Sequence, residues 1–119
     1  DLAQLSAEEF TDFVVTIFEQ QGYALEGIQC AQSGQLLVFR QNEAHSVVYC
    51  LPNPWLGGQL WDVTSVEVAC CIAAAKECMA TSGYVVTRSL FSFGAKKEAA
   101  YSGRNIKLVD GEALKQWIR

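Results

Sequence analysis

The stretch from Val66 to Ala75 is apolar on nearly every side of a helix, through Val66, Val68, Ala69, Cys70, Ile72, Ala73 and Ala75. A surface helix carries a single apolar stripe, so one that is apolar all round is expected to sit deep, packed on a sheet and covered from outside. Thr64-Ser65-Val66-Glu67 has the form of a capping box and opens it. The pattern predicts the longest helix of the chain, running to about Thr81 and ended by Ser82-Gly83.

The flanking patterns say what it packs against. Ser6-Ala7-Glu8-Glu9 is a second capping box, followed by Phe10, Phe13, Val14, Ile17 and Phe18 on one helical face, with Gly22 placed to stop the helix. Three short extended runs come next: Tyr23 to Ala31, Gln35 to Arg40 and Ser46 to Leu51. Ser33-Gly34 and Gln41-Asn42-Glu43 separate them as turns. Such short connections predict an antiparallel three-strand meander, its second and third strands buried on both faces. Pro52 to Asp62 reads as a Gly/Pro-rich loop. Its tryptophans, Trp55 and Trp61, either cap the core edge, the favoured reading, or offer a protein-contact surface. Beyond the apolar helix come a strand at Tyr84 to Arg88, a helix capped by Ser92 and continuing to about Ser102, and a strand at Ile106 to Val109. A last helix is capped by Asp110 and carries Leu114, Trp117 and Ile118. Ala95, Ala99 and Ala100 are small enough to let the Ser92 helix approach the sheet closely. The order is helix, three-strand meander, helix, strand, helix, strand, helix. It describes an α/β fold with a mixed sheet and helices on both faces.

Composition narrows the class. At 119 residues, half of them apolar and 18% charged, the chain is one soluble globular domain, expected to be cut from a longer protein because it opens on Asp1. No apolar run reaches bilayer length and no signal-peptide pattern opens it. The five cysteines, Cys30, Cys50, Cys70, Cys71 and Cys78, each lie in an apolar segment. They are expected to be buried reduced thiols, in a reducing, cytoplasmic setting. Residues 1–82 hold two basic residues against ten acidic, a balance of −8; residues 83–119 hold seven against three, a balance of +4. Ordinary solvation explains that asymmetry, and so does one electropositive face.

Particular residues then bring in a family. Gly83-Tyr84-Val85-Val86-Thr87 before Phe91-Ser92 and Ala95, and Ile106-Lys107-Leu108-Val109-Asp110-Gly111 through Leu114, resemble the closing motifs of Mrr-like restriction endonuclease domains, of the PD-(D/E)XK nuclease superfamily. Leu5 to Phe10 and Gly22-Tyr23 resemble that family's opening helix and its glycine–tyrosine pair. The resemblance implies a three-layer α/β/α restriction-endonuclease-like fold. It also implies a Mg²⁺ site built from a Glu on the first helix, an Asp on the second strand and a Q-x-K or E-x-K on the third. In this chain those positions fall on Thr11, Leu36 and Tyr49-Cys50-Leu51; Gln35, beside Leu36, is not acidic either. Mg²⁺ needs hard oxygen ligands, and leucine supplies none. The expectation is therefore a degenerate site with no metal and no catalytic residue.

A relocated site could draw on Glu9, Asp12, Glu26, Glu43, His45 and Arg40, with Mg²⁺ as cofactor. Each also reads as an ordinary cap or solvated side chain. The functional expectation is an inactive nuclease-like domain serving protein interaction or assembly within a larger protein. The alternative is non-catalytic DNA binding through Arg88, Ser92, Lys96, Lys97 and Arg104, where the helix opening at Ser92 would favour phosphate. Metal-dependent DNA cleavage by a relocated site is the third choice.

Overall fold

The structure, a computed structural model, describes residues 5–30, 34–51, 55–56, 59–60, 62–103 and 105–117. In chain order these form α1 (Ala7–Gln20), β1 (Ala24–Cys30), β2 (Gln35–Gln41), β3 (Ala44–Leu51), β4 (Trp55–Leu56), β5 (Gln59–Leu60), α2 (Ser65–Glu77), β6 (Ser82–Thr87), α3 (Phe93–Ala100), β7 (Ile106–Val109) and α4 (Gly111–Trp117). The main sheet has the order β1-β2-β3-β6-β7: β1, β2 and β3 pair antiparallel, β3, β6 and β7 parallel.

Alternation along the strands sorts side chains into two cores. Leu37, Phe39, Val48, Cys50, Tyr84 and Val86 face α1 and α4. Leu36, Val47, Tyr49, Leu51 and Val85 face α2 and α3. β3 is buried from Ser46 to Leu51, as a strand with helices on both sides must be. The α1 face centres on Phe18, whose ring meets Tyr23, Phe39, Tyr84 and Trp117 at centroid distances of 5.1–5.7 Å. This is the three-layer α/β/α arrangement with a mixed sheet.

Several expectations need correction. The Pro52 to Asp62 segment is not wholly loop, because β4 and β5 pair antiparallel within it. α2 ends at Glu77, not near Thr81, and with 13 residues it is shorter than the 14-residue α1. It stops in a Schellman motif: Ala80 N–H donates to Ala75 O and Met79 N–H to Lys76 O, with Met79 left-handed at φ 53°. α1 ends the same way at Gly22, φ 94°, where Tyr23 N–H donates to Phe18 O and Gly22 N–H to Glu19 O. The signal that the sequence placed at Gly22 is carried by methionine in α2, which hid that helix's end. Nor is α2 covered all round, since Val66, Ala69 and Ala73 are exposed. Ala95 is fully buried against the sheet side, but Ala100 points outward. Finally, only Cys50 and Cys71 are buried thiols; Cys30 is exposed and Cys70 and Cys78 are half-buried, all five free.

Candidate functional site

The parallel strands end together at Leu51, Thr87 and Val109, and here three of the four positions matched to the nuclease site gather. Leu36 and Tyr49 are direct partners across β2 and β3, and Leu51 lies two residues further along the same face. All three are core residues, 9%, 1% and 4% exposed, packed with Val68, Ile72 and Phe91. They form one apolar layer under α2.

Thr11 does not join them. It is buried on the α1 side of the sheet, where its hydroxyl donates to Ala7 O at 3.1 Å and accepts from the Cys50 thiol at 3.8 Å. Burial pushes that thiol up to about 12, against the Thr11 hydrogen bond and the Arg88 charge, which act the other way. Cys50 is therefore a protonated, enclosed thiol. Gly34 passes so close to β3 that a Cβ there would collide with the Cys50 carbonyl oxygen, which fixes the register at this end.

Arg88 completes this corner. Its Nη1 donates to Leu5 O at 2.6 Å and its guanidinium lies 4.9 Å from the Phe10 ring centroid. Burial lowers its pKa from the ordinary arginine value, opposed by Cys50. The side chain ties the entry of α1 to the end of β6. Ser92 is also spoken for: its hydroxyl caps α3 by accepting from Ala95 N–H at 3.1 Å. Lys96 and Lys97 are exposed on α3, on the opposite face of the sheet from Arg88's contacts. The nucleic-acid candidates are thus not brought onto one surface. Arg104, Trp61 and the side chain of Trp55 lie outside the described residues.

The residues considered for a relocated site are scattered as well. Glu9 completes the α1 capping box, accepting from Ser6 N–H at 2.8 Å, and that bond is the main cause of its lowered pKa. Asp12 and Glu43 are exposed on α1 and in the β2–β3 turn. Glu26 sits in the β1 bulge and bridges the cross-strand pair Arg40 and His45, at 3.2 and 3.0 Å. That cluster lies beside the β2–β3 turn, at the other end of β3 from Leu51. Among the described residues no group of three or more His, Cys, Asp or Glu could hold a metal ion. At the four matched positions stand a threonine, a tyrosine and two leucines, with no carboxylate among them, a set that does not fit a hard divalent cation.

The periodicity of α3 holds one further signal. Phe93, Lys97 and Tyr101 recur at i, i+4 and i+8, away from the buried Ala95. Phe93 and Tyr101 are 77% and 80% exposed, and Lys97 Nζ lies 5.8 Å from the Phe93 ring centroid.

Comparisons with known proteins agree with this architecture. The crystal structure of the Protein of Unknown Function AF1548 superposes with a TM-score of 0.61 at 19% sequence identity, over 82% of this chain and 54% of that one. The chain therefore spans about half the length of that protein, and the likeness is one of fold. No curated protein matches. No helix among the described residues is long and apolar enough to cross a membrane. The Mrr_cat family, described as restriction endonuclease, matches residues 2–118, and the chain belongs to that restriction endonuclease family.

Proposed function

We propose that this is a catalytically silent member of the family, serving as a protein-interaction or assembly module of a larger protein. The observation that carries the reading is the packing of Leu36, Tyr49 and Leu51, buried under α2 where a nuclease would gather oxygens around a cation and aim a lysine at phosphate. Carboxylates crowded without a metal repel one another, and apolar side chains at those positions remove that strain. Exposed apolar residues on the outer helices, Val66, Phe93 and Tyr101, supply contact surface.

Incubating duplex and single-stranded DNA with the protein in Mg²⁺ or Mn²⁺ tests the silence. Substrate should remain intact; metal-dependent cleavage abolished by Glu26→Gln or Glu43→Gln would overturn it in favour of a relocated site. Non-catalytic DNA binding is the competing reading. It keeps the exposed Lys96 and Lys97 but finds Arg88 already engaged with Leu5 and Phe10. A salt titration decides between them. Tight binding that weakens with salt and is lost on charge reversal of Lys96 and Lys97 would favour DNA.

A further inference from the structure

The outer face of α3 carries a projection, a notch and two adjacent, exposed, opposite charges. Val63 and Phe91 form a parallel bridge, with Val63 N–H donating to Leu90 O and Ser92 N–H to Val63 O, both at 2.9 Å. The bridge holds the first turns of α2 and α3 side by side. Between them lies a groove of about 300 Å³ lined by Ser65, Gly94, Lys97, Glu98 and Tyr101. Its floor is open at Gly94, where an added Cβ would come no nearer than 3.8 Å to Ser92 Oγ and 3.9 Å to Ser65 Cβ. Tyr101 stands out at one end of the helix, 80% exposed, and Lys97 and Glu98 are adjacent and exposed between notch and ring.

We propose that this face pairs with its own copy, α3 against α3 in antiparallel order about a two-fold axis between Lys97 and Glu98. That axis sets Lys97 opposite Glu98 of the partner subunit, and Gly94 opposite Tyr101 of the partner subunit. Each ring then enters the other's notch and each charge meets its opposite, as an isologous interface requires. Antiparallel order also puts the positive end of each helix dipole beside the negative end of the other. The mixed charge selects the occupant. A nucleic-acid strand would meet Glu98, and a partner of one sign would leave Lys97 or Glu98 unmatched. An eight-residue helix and one turn of α2 make a small interface, so the dimer is weak. The inference rests on the reading of the domain as an assembly module and names its partner; a strictly monomeric protein would refute it while leaving the proposed catalytic silence standing.

Sedimentation velocity across the micromolar range is the measurement. The wild type should shift from monomer to dimer with concentration. Tyr101→Ala and Gly94→Leu should each weaken the dimer by about tenfold or more. Gly94→Leu fills the notch while favouring the helix, so its effect is not misfolding. Lys97→Glu and Glu98→Lys should each weaken pairing, and the double exchange should restore it. A monomer throughout, a dimer indifferent to Tyr101 and Gly94, or a double exchange no better than the singles would each overturn the proposal. Binding of an oligothymidylate that depends on Tyr101, in a monomeric protein, would assign the face to a nucleic-acid strand instead.

Discussion

Replacing Leu51 by lysine tests whether this end of the sheet is a closed core. Leu51 is 4% exposed among Tyr49, Val63 and Phe91. Removing a fully buried leucine costs about 1.5–3 kcal/mol of transfer free energy. The lysine stem recovers part of that, but its ammonium must shed water or its proton, at a further cost of several kcal/mol. A net loss of about 3–5 kcal/mol is expected. With a urea dependence of about 1.5–2 kcal/mol per molar, the unfolding midpoint should fall by about 2 M.

The pH dependence adds a signature that simple overpacking lacks. Desolvation depresses the lysine pKa in the folded state, so between that value and about 10.4 the unfolded chain binds the proton more readily. Over that window the variant's stability relative to wild type should rise with pH, by up to about 1.4 kcal/mol per unit. Chemical denaturation of both proteins at several pH values gives the comparison. A loss below about 1 kcal/mol with no relative slope would refute the packing argument, because the amine would then be reaching water through an open cleft.

Three further outcomes rest on the same geometry. Met79→Gly should stabilise the fold by about 0.5–1 kcal/mol, because a left-handed methionine that is 81% exposed is strained and packs little; no gain in thermal unfolding would put the end of α2 in doubt. A thiol reagent at pH 8 should label Cys30 at once and leave Cys50 and Cys71, both pushed up to about 12 by burial, protected until unfolding; prompt labelling of either would contradict the cores. Thr64→Ala should cost about 1 kcal/mol in urea denaturation, since the hydroxyl accepts from Val66 N–H and Glu67 answers it at the Thr64 N–H; a neutral result would mean that the cap contributes nothing.

The sequence made the architecture legible where local chemistry and periodicity agree. Both capping boxes, the Phe10-to-Phe18 stripe and the strand at Ile106 to Val109 stand where caps and apolar spacing put them. The end of α2 was not legible, since the left-handed residue that closes it is methionine rather than glycine. Thiol burial misled for a different reason. Cys30 lies in an apolar run, but β1 is an edge strand, and an edge strand leaves one side of the ladder to solvent. The candidate site was legible as a set of sequence positions, not as a surface. The +4 balance beyond residue 82 says nothing of direction, and Arg88 spends its charge inward on Leu5 O and Phe10.

The residues that mark the family are also those the scaffold needs on mechanical grounds. Gly111 follows β7 where a Cβ would stand 2.9 Å from the Arg88 carbonyl oxygen, and Asp110 caps α4 by accepting from Ala113 N–H at 2.9 Å. Gly83 lies where a Cβ would crowd Ile106 Cδ1 at 2.8 Å, and Ala95 is fully buried between α3 and the sheet. None of these requirements involves phosphate or metal. Substitution at Gly83 or Gly111 would disturb the packing of β6 on β7 and of β7 on α4 whether or not DNA is ever cut. Leu36, Tyr49 and Leu51 are held by their packing under α2. Family membership is therefore carried by the frame, and the chemistry must be judged separately from the side chains that line its strand ends.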